Sequence, residues 1–174
     1  MNKSGQEAGS STAASAPDKS IYEFKVPSLD GDTIDFSSFK GKWILVVNTA
    51  SKCGYTNQYE ALESVYKTYQ QKLAIVGFPS DNFMGQEFEQ NSDIKEFCQK
   101  NYGVSFPMTT RVDVKGDNAT PIFKYLCSKA ENGVLDAKIS WNFNKFLINP
   151  QGIVVAHFES KTKPDSQDIL SHFQ

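Results

Sequence analysis

The chain has 174 residues, 39% hydrophobic and 22% charged, with a formal net charge of −2, which suits one globular domain. Acidic and basic residues are mixed along it, so the basic footprint of a nucleic-acid binder is missing, and no apolar run approaches the roughly 20 residues that span a bilayer, so no stable membrane insertion is expected. Three cysteines are an odd count for a disulfide-stapled secreted domain and point to a reducing compartment in which any disulfide is transient and catalytic; the cytoplasm is expected, with a removed leader as the alternative.

Residues 1–20 are mostly Ser, Ala, Gly and Gln. They bury too little to offset ordering entropy, so a disordered tail is expected there, a tag, linker or trimmed leader being equal alternatives. The folded domain is expected over 21–174. Residues 22–26 alternate apolar and polar as a half-buried strand does. A turn at 29–32 returns the chain into a second strand at 33–36, an N-terminal β-hairpin. The continuous apolar run 43–47 predicts a strand buried on both faces. A turn at 51–56 precedes a helix whose start is marked by Asn57 and Glu60, with Leu62, Val65, Tyr66 and Tyr69 at helical spacing. Residues 73–78 form a second buried strand, and strand, helix, strand implies a parallel pair with a right-handed crossover.

A polar loop over 79–91 leads to a helix opened by Asp93 and Glu96, with Ile94, Phe97 and Cys98 on its apolar face. Residues 108–114 are expected to be extended. Thr120 and Pro121 start another helix, over which Cys127 falls and is read as structural. Residues 143–148 and 153–158 flank the turn Asn149-Pro150-Gln151-Gly152, and a last helix covers 166–173. The fold class is α/β: a mixed central sheet with helices on both faces and an N-terminal β-hairpin, which is the thioredoxin-fold arrangement.

Cys53 follows a buried strand and precedes a helix. Reactive groups collect at the carboxyl ends of strands in open α/β sheets, and a helix N-terminus stabilises a thiolate. Lys52 adds a positive charge next in sequence. From position alone, a structural cysteine fits as well as a reactive one. Cys53-Gly54-Tyr55-Thr56 is not the Cys-x-x-Cys of a thioredoxin. A zinc site needs clustered Cys and His, whereas His157 and His172 fall in the C-terminal strand and helix. Neither a metal nor a cofactor is expected.

The run 46–56, Val-Val-Asn-Thr-Ala-Ser-Lys-Cys-Gly-Tyr-Thr, resembles the active-site strand and loop of the glutathione peroxidase family. Phe78-Pro79-Ser80-Asp81-Asn82-Phe83-Met84-Gly85-Gln86-Glu87 resembles its second signature, and Trp141-Asn142-Phe143 its third. The three blocks stand in the family's order and at about its spacing, and the likeness runs from Ile21 to the C-terminus. Ser80 stands where many relatives carry a cysteine, and Asp81 and Phe88 also depart from the pattern.

The resemblance implies a thiol peroxidase that reduces hydrogen peroxide and organic or lipid hydroperoxides. It places the chemistry on Cys53, Gln86, Trp141 and Asn142, with sulfur as the attacking atom. Gln86 and Trp141 bring neutral N–H donors able to hold a thiolate and charge developing on oxygen. It also implies that Cys98 resolves a Cys53 sulfenic acid as an intramolecular disulfide. Because a disulfide needs Cα atoms within about 7 Å, partial unwinding of the Cys98 helix is expected; buried on that helix, Cys98 is alternatively a small core residue.

Relatives that use glutathione hold its carboxylates with arginines, whereas the single arginine here is Arg111. Thioredoxin or a similar dithiol protein is therefore the expected reductant, ahead of glutathione. The short stretch 129–140 lacks the insertion of tetrameric members, so a monomer is expected. Phe83, Trp141 and Phe143 are candidates for an apolar rim, with core packing an equal alternative. A redox relay that passes oxidation from Cys53 to a partner protein is the rival function.

Overall fold

The computed structural model describes residues 20–174. The tail expected over 1–20 lies outside the described residues except for Ser20, which belongs to the fold. Its hydroxyl accepts the Tyr22 N–H at 3.2 Å, and Glu23 accepts the Ser20 N–H at 3.3 Å. This capping box winds Ile21–Glu23 into a 3₁₀ turn. The strand expected from residue 22 therefore shrinks to β1 (Lys25–Pro27), paired antiparallel with β2 (Thr33–Asp35).

The main sheet has four strands: β3 (Trp43–Thr49), β4 (Leu73–Pro79), β5 (Lys145–Ile148) and β6 (Val154–Phe158). Their order is β4-β3-β5-β6. β3 and β4 run parallel, and β5 is antiparallel to both β3 and β6. Side chains alternate between the two faces of a strand, and along β3, β4 and β5 both faces are dry. Ile44, Val46, Val76, Phe78, Phe146 and Ile148 enter one core; Leu45, Val47, Leu73, Ile75 and Leu147 enter the other. Fully burying one such side chain contributes roughly 1.5–3 kcal/mol.

Helices complete each layer. α1 (Gln58–Thr68), α2 (Asn91–Tyr102) and α5 (Gln167–Leu170) supply Tyr59, Leu62, Ile94, Cys98 and Ile169 to the second core. α3 (Pro121–Cys127), with Pro121 in its first turn, supplies Ile122, Phe123 and Leu126 to the first, and a short α4 (Lys129–Asn132) follows. This is the thioredoxin fold, with the hairpin at its N-terminus. α2 begins at Asn91, ahead of Asp93, because Gln90 is still extended and takes the cap position. Residues 108–114 form no strand: only Met108 and Thr109 make isolated bridges, to Gly77 and Ser28. Gly77 permits that approach, since a Cβ there would lie 2.3 Å from the Met108 sulfur.

Among the described residues no helix is long and apolar enough to cross a membrane. No group of three His, Cys, Asp or Glu side chains among them is placed to hold a metal ion.

Candidate active site

β3 ends at Thr49, and the chain turns before α1. Thr56 fixes the turn: its hydroxyl donates to the Ala50 carbonyl at 2.9 Å and accepts the Cys53 N–H at 2.9 Å. Cys53 is half-buried, and its sulfur accepts the Tyr55 N–H at 3.4 Å. α1 starts only at Gln58, with Asn57 at the cap position and no side-chain capping bond. The expected helix N-terminus thus lies more than a turn beyond Cys53, and the donor on sulfur is the turn's own amide. Lys52 does not aim its charge at the sulfur either. Its ammonium sits 4.5 Å from the centre of the Phe88 ring, a cation–π contact.

Gln86 arrives on the loop between β4 and α2. Asp81 anchors that loop through an ion pair with Arg111 at 2.6 Å, and Asn82 through a bond to Asp113 at 2.7 Å. Met84 and Gly85 then both take left-handed backbone, at φ +60° and +61°, which turns the chain back on itself. The Gln86 carbonyl accepts the Lys52 N–H at 2.9 Å. Its side-chain oxygen accepts from the Asn142 amide at 3.1 Å. With that oxygen engaged, the Gln86 NH₂ group is the part left to donate.

Trp141 and Asn142 are held by the end of β3. The Trp141 carbonyl accepts from Asn48 at 3.0 Å and from Asn144 at 2.8 Å. The Asn48 side-chain oxygen accepts the Asn144 N–H at 2.9 Å, and Ser160 donates to the Asn142 carbonyl. Among the described residues the Trp141 indole N–H has no protein partner. The Trp141 ring packs on Phe83, with centroids 5.7 Å apart. Phe143 takes φ +60° and turns its ring inward, edge-on to Tyr59 at 5.4 Å. It is fully buried, and Phe83 is 4% exposed. Of the three aromatics considered for a rim, only half-buried Trp141 reaches the surface.

The structure therefore gathers Cys53, Gln86, Trp141 and Asn142 from three distant segments. Cys98 stands apart on α2, 2% exposed, and all three cysteines are free. Burial pushes the Cys98 thiol up to about 11, and the Cys127 thiol, at the end of α3, to about 11 as well. Four further residues that sequence reasoning passed over shape the site: Asn48, Asn144, Lys145 and Glu87. Lys145 is fully buried, and its ammonium donates to Gln58 at 2.6 Å, to the Thr162 carbonyl at 2.6 Å and to the Ser160 carbonyl at 3.2 Å. Burial pulls it down to about 7. The available signal was a polar residue inside a dry strand, Asn48 in β3 and Lys145 in β5, where a polar group needs a partner.

The fold and its cysteine loop define a thiol-based oxidoreductase of the thioredoxin fold. Residues 21–127 match the family described as glutathione peroxidase. A Bacillus subtilis protein named glutathione peroxidase homolog BsaA is 48% identical over 147 residues, covering 83% of this chain and 91% of its own. Glutathione peroxidase-like peroxiredoxin 2 of Saccharomyces cerevisiae is 47% identical over 151 residues, covering 86% and 93%. The solved structure titled "Crystal structure of Trgpx in apo form" is 37% identical, with a TM-score of 0.67, covering 88% of this chain and 95% of that one. The chain belongs to the glutathione peroxidase family and is a peroxidase.

Proposed function

We propose that this protein reduces hydrogen peroxide and organic or lipid hydroperoxides through Cys53, resolves the product with Cys98, and is recycled by thioredoxin or a similar dithiol protein. One observation carries the site: Gln86 is tied on its carbonyl to Lys52, beside Cys53, and on its side chain to Asn142, beside Trp141. These two bonds join three segments with no sequence proximity, one of them the Cys53 loop.

In the first step the Cys53 thiolate attacks one peroxide oxygen. The O–O bond breaks, the sulfur becomes a sulfenic acid, and hydroxide or alkoxide leaves and takes up a proton. The Gln86 NH₂ and Trp141 N–H stabilise the charge that develops on oxygen, as preorganised donors do. Asn142 positions Gln86 by occupying its oxygen. Uncharged donors leave the sulfur more nucleophilic than a strong cation pair would.

In the second step the Cys98 sulfur attacks Cys53, and water leaves. Cys98 is buried in a helix, so α2 must open locally to bring the two sulfurs together. The reductant assignment rests on Arg111, the one arginine, being committed to Asp81 and so not free to clamp glutathione carboxylates. The protein is expected to act as a monomer in a reducing compartment.

The test is peroxide consumption with a thioredoxin system and with glutathione, in the wild type, Cys53→Ser and Cys98→Ser. Turnover with thioredoxin that needs both cysteines is the expected result. Faster turnover with glutathione overturns the reductant, and negligible turnover with a trapped mixed disulfide to a partner protein favours the relay.

A further inference from the structure

Openings on the surface of the described residues differ in charge. The one beside Cys98 carries Lys95 and Asp30, paired at 2.9 Å. The one beside the Cys53 loop carries Lys161, Lys163 and Asp165. A groove between α3 and the loop at 114–119 is different. Its charged residues are Lys115, Lys124 and Lys138, and none of its lining residues is acidic. Its floor is apolar, with Val114, Phe123 and Ile139 each no more than 4% exposed.

Three short pieces of chain build the groove. Phe123 and Cys127, four residues apart on α3, share a helix face, and both line it. The Ala137 N–H donates to the Cys127 carbonyl at 3.0 Å, which brings Lys138 and Ile139 alongside. Val114 is held by its N–H, which donates to Asn82 at 2.7 Å. The Lys124 ammonium donates to the Asp117 carbonyl at 2.8 Å. The Lys115 ammonium lies 4.6 Å from the centre of the Phe83 ring. Among the described residues none of these three ammoniums has an ion-pair partner. Lysine lays its apolar stem along such a wall and keeps its charge at the water's edge.

We propose that this groove is a binding site for a single-chain fatty acid anion, its chain on Val114, Phe123 and Ile139 and its carboxylate among Lys115, Lys124 and Lys138. An apolar floor alone takes any oily molecule; a rim of one sign selects the anion. The groove's volume is about 380 Å³, which suits one small ligand. At roughly 30 Å³ for each chain carbon, the share a water takes in the liquid, it holds about a dozen. An inorganic anion leaves the floor bare, and a two-chain lipid needs about twice the room. Cys127 lines the groove and Cys53 does not, so binding there needs no peroxide step. The groove still adjoins the peroxide site through Phe83, which the Lys115 ammonium covers and on which Trp141 packs at 5.7 Å.

The experiment titrates reduced full-length protein with octanoate, decanoate and dodecanoate by calorimetry, below their micelle concentrations. N-ethylmaleimide labelling of Cys127 is followed in parallel by peptide mass mapping. One site is expected, with affinity rising about threefold to fourfold for each added methylene. At about ten times its Kd, dodecanoate should slow Cys127 labelling about tenfold, because only the empty fraction reacts. Lys124→Gln combined with Lys138→Gln, both exposed positions, should weaken decanoate about fivefold and leave decanol unchanged. Decanol binding as tightly as decanoate to the wild type overturns the proposal, as does Cys127 labelling that dodecanoate does not slow; neither needs a variant to fold. Unchanged decanoate affinity in the lysine variant overturns it as well, and so does binding to vesicles of anionic lipid with no binding of the monomeric chain.

Discussion

Cys53 and Cys98 are the same side chain in opposite surroundings. Cys53 sits half-buried on a turn, with a backbone N–H on its sulfur. Cys98 sits in a helix, in the same apolar core as Leu45, Val47 and Phe143, 2% exposed, its thiol pushed up to about 11 by burial. Access and amide donors make a thiol reactive, and an apolar shell makes it inert. The difference orders the two steps in time: one sulfur is available at once, and the other only after the structure around it gives way.

The largest break in that comparison comes from removing the available sulfur. Cys53→Ser should lower peroxide turnover at least about a thousandfold, in a coupled assay, with an unchanged unfolding midpoint. Gln86→Ala and Trp141→Phe should each cost roughly a hundredfold in kcat/KM. Asn142→Ala should cost less, because Asn142 acts by holding the Gln86 oxygen.

The interior side is probed by pH. Glu87 has a folded pKa of about 7 against an ordinary 4.5, so the folded state holds its proton more tightly. Its contribution to stability is complete below about pH 4.5 and is lost as pH rises to about 7. The loss amounts to roughly 3 kcal/mol. Urea midpoints at pH 4.5 and pH 8 should therefore differ more in the wild type than in Glu87→Gln. Lys145, pulled down to about 7 from 10.5, works in the other direction: its burial cost is full below about pH 7 and fades toward pH 10.

Two smaller effects sharpen the contrast. Cys98→Ser should leave sulfenic acid formation on Cys53 intact while slowing turnover with a dithiol reductant by roughly tenfold or more, since an intramolecular attack is replaced by a bimolecular one. Met84 is 82% exposed in left-handed backbone, where a side chain costs about 1–2 kcal/mol. Met84→Gly should be stabilising by less than about 1 kcal/mol, because glycine gives back part of the gain as unfolded-chain entropy.

The sheet and most helices were legible in the sequence because they rest on local periodicity. Ile44 and Leu45 belong to different cores simply because adjacent strand residues face opposite ways. The segment 22–24 misled for an equally local reason: Ser20 and Glu23 cap a 3₁₀ turn that the alternation conceals. Asn57 marked the start of α1, yet its side chain makes no cap, so the position was readable and the mechanism was not. The four gathered residues were readable through motif resemblance, not through pattern. Asn48 and Lys145 escaped notice because their roles depend on partners such as Trp141 and Thr162, which only the folded chain brings near. Phe143, open to either a rim or a core reading in the sequence, is core: it is fully buried on left-handed backbone.

Timed alkylation of the native protein, before and after one equivalent of hydrogen peroxide and followed by peptide mass mapping, bears most directly on the two-sulfur account. Before peroxide, Cys53 should be labelled quickly and Cys98 protected; afterwards neither should take label, and the two peptides should be found joined. Labelling of Cys98 as fast as Cys53 in the reduced protein, or a Cys53 that stays fully alkylatable after peroxide, would contradict it.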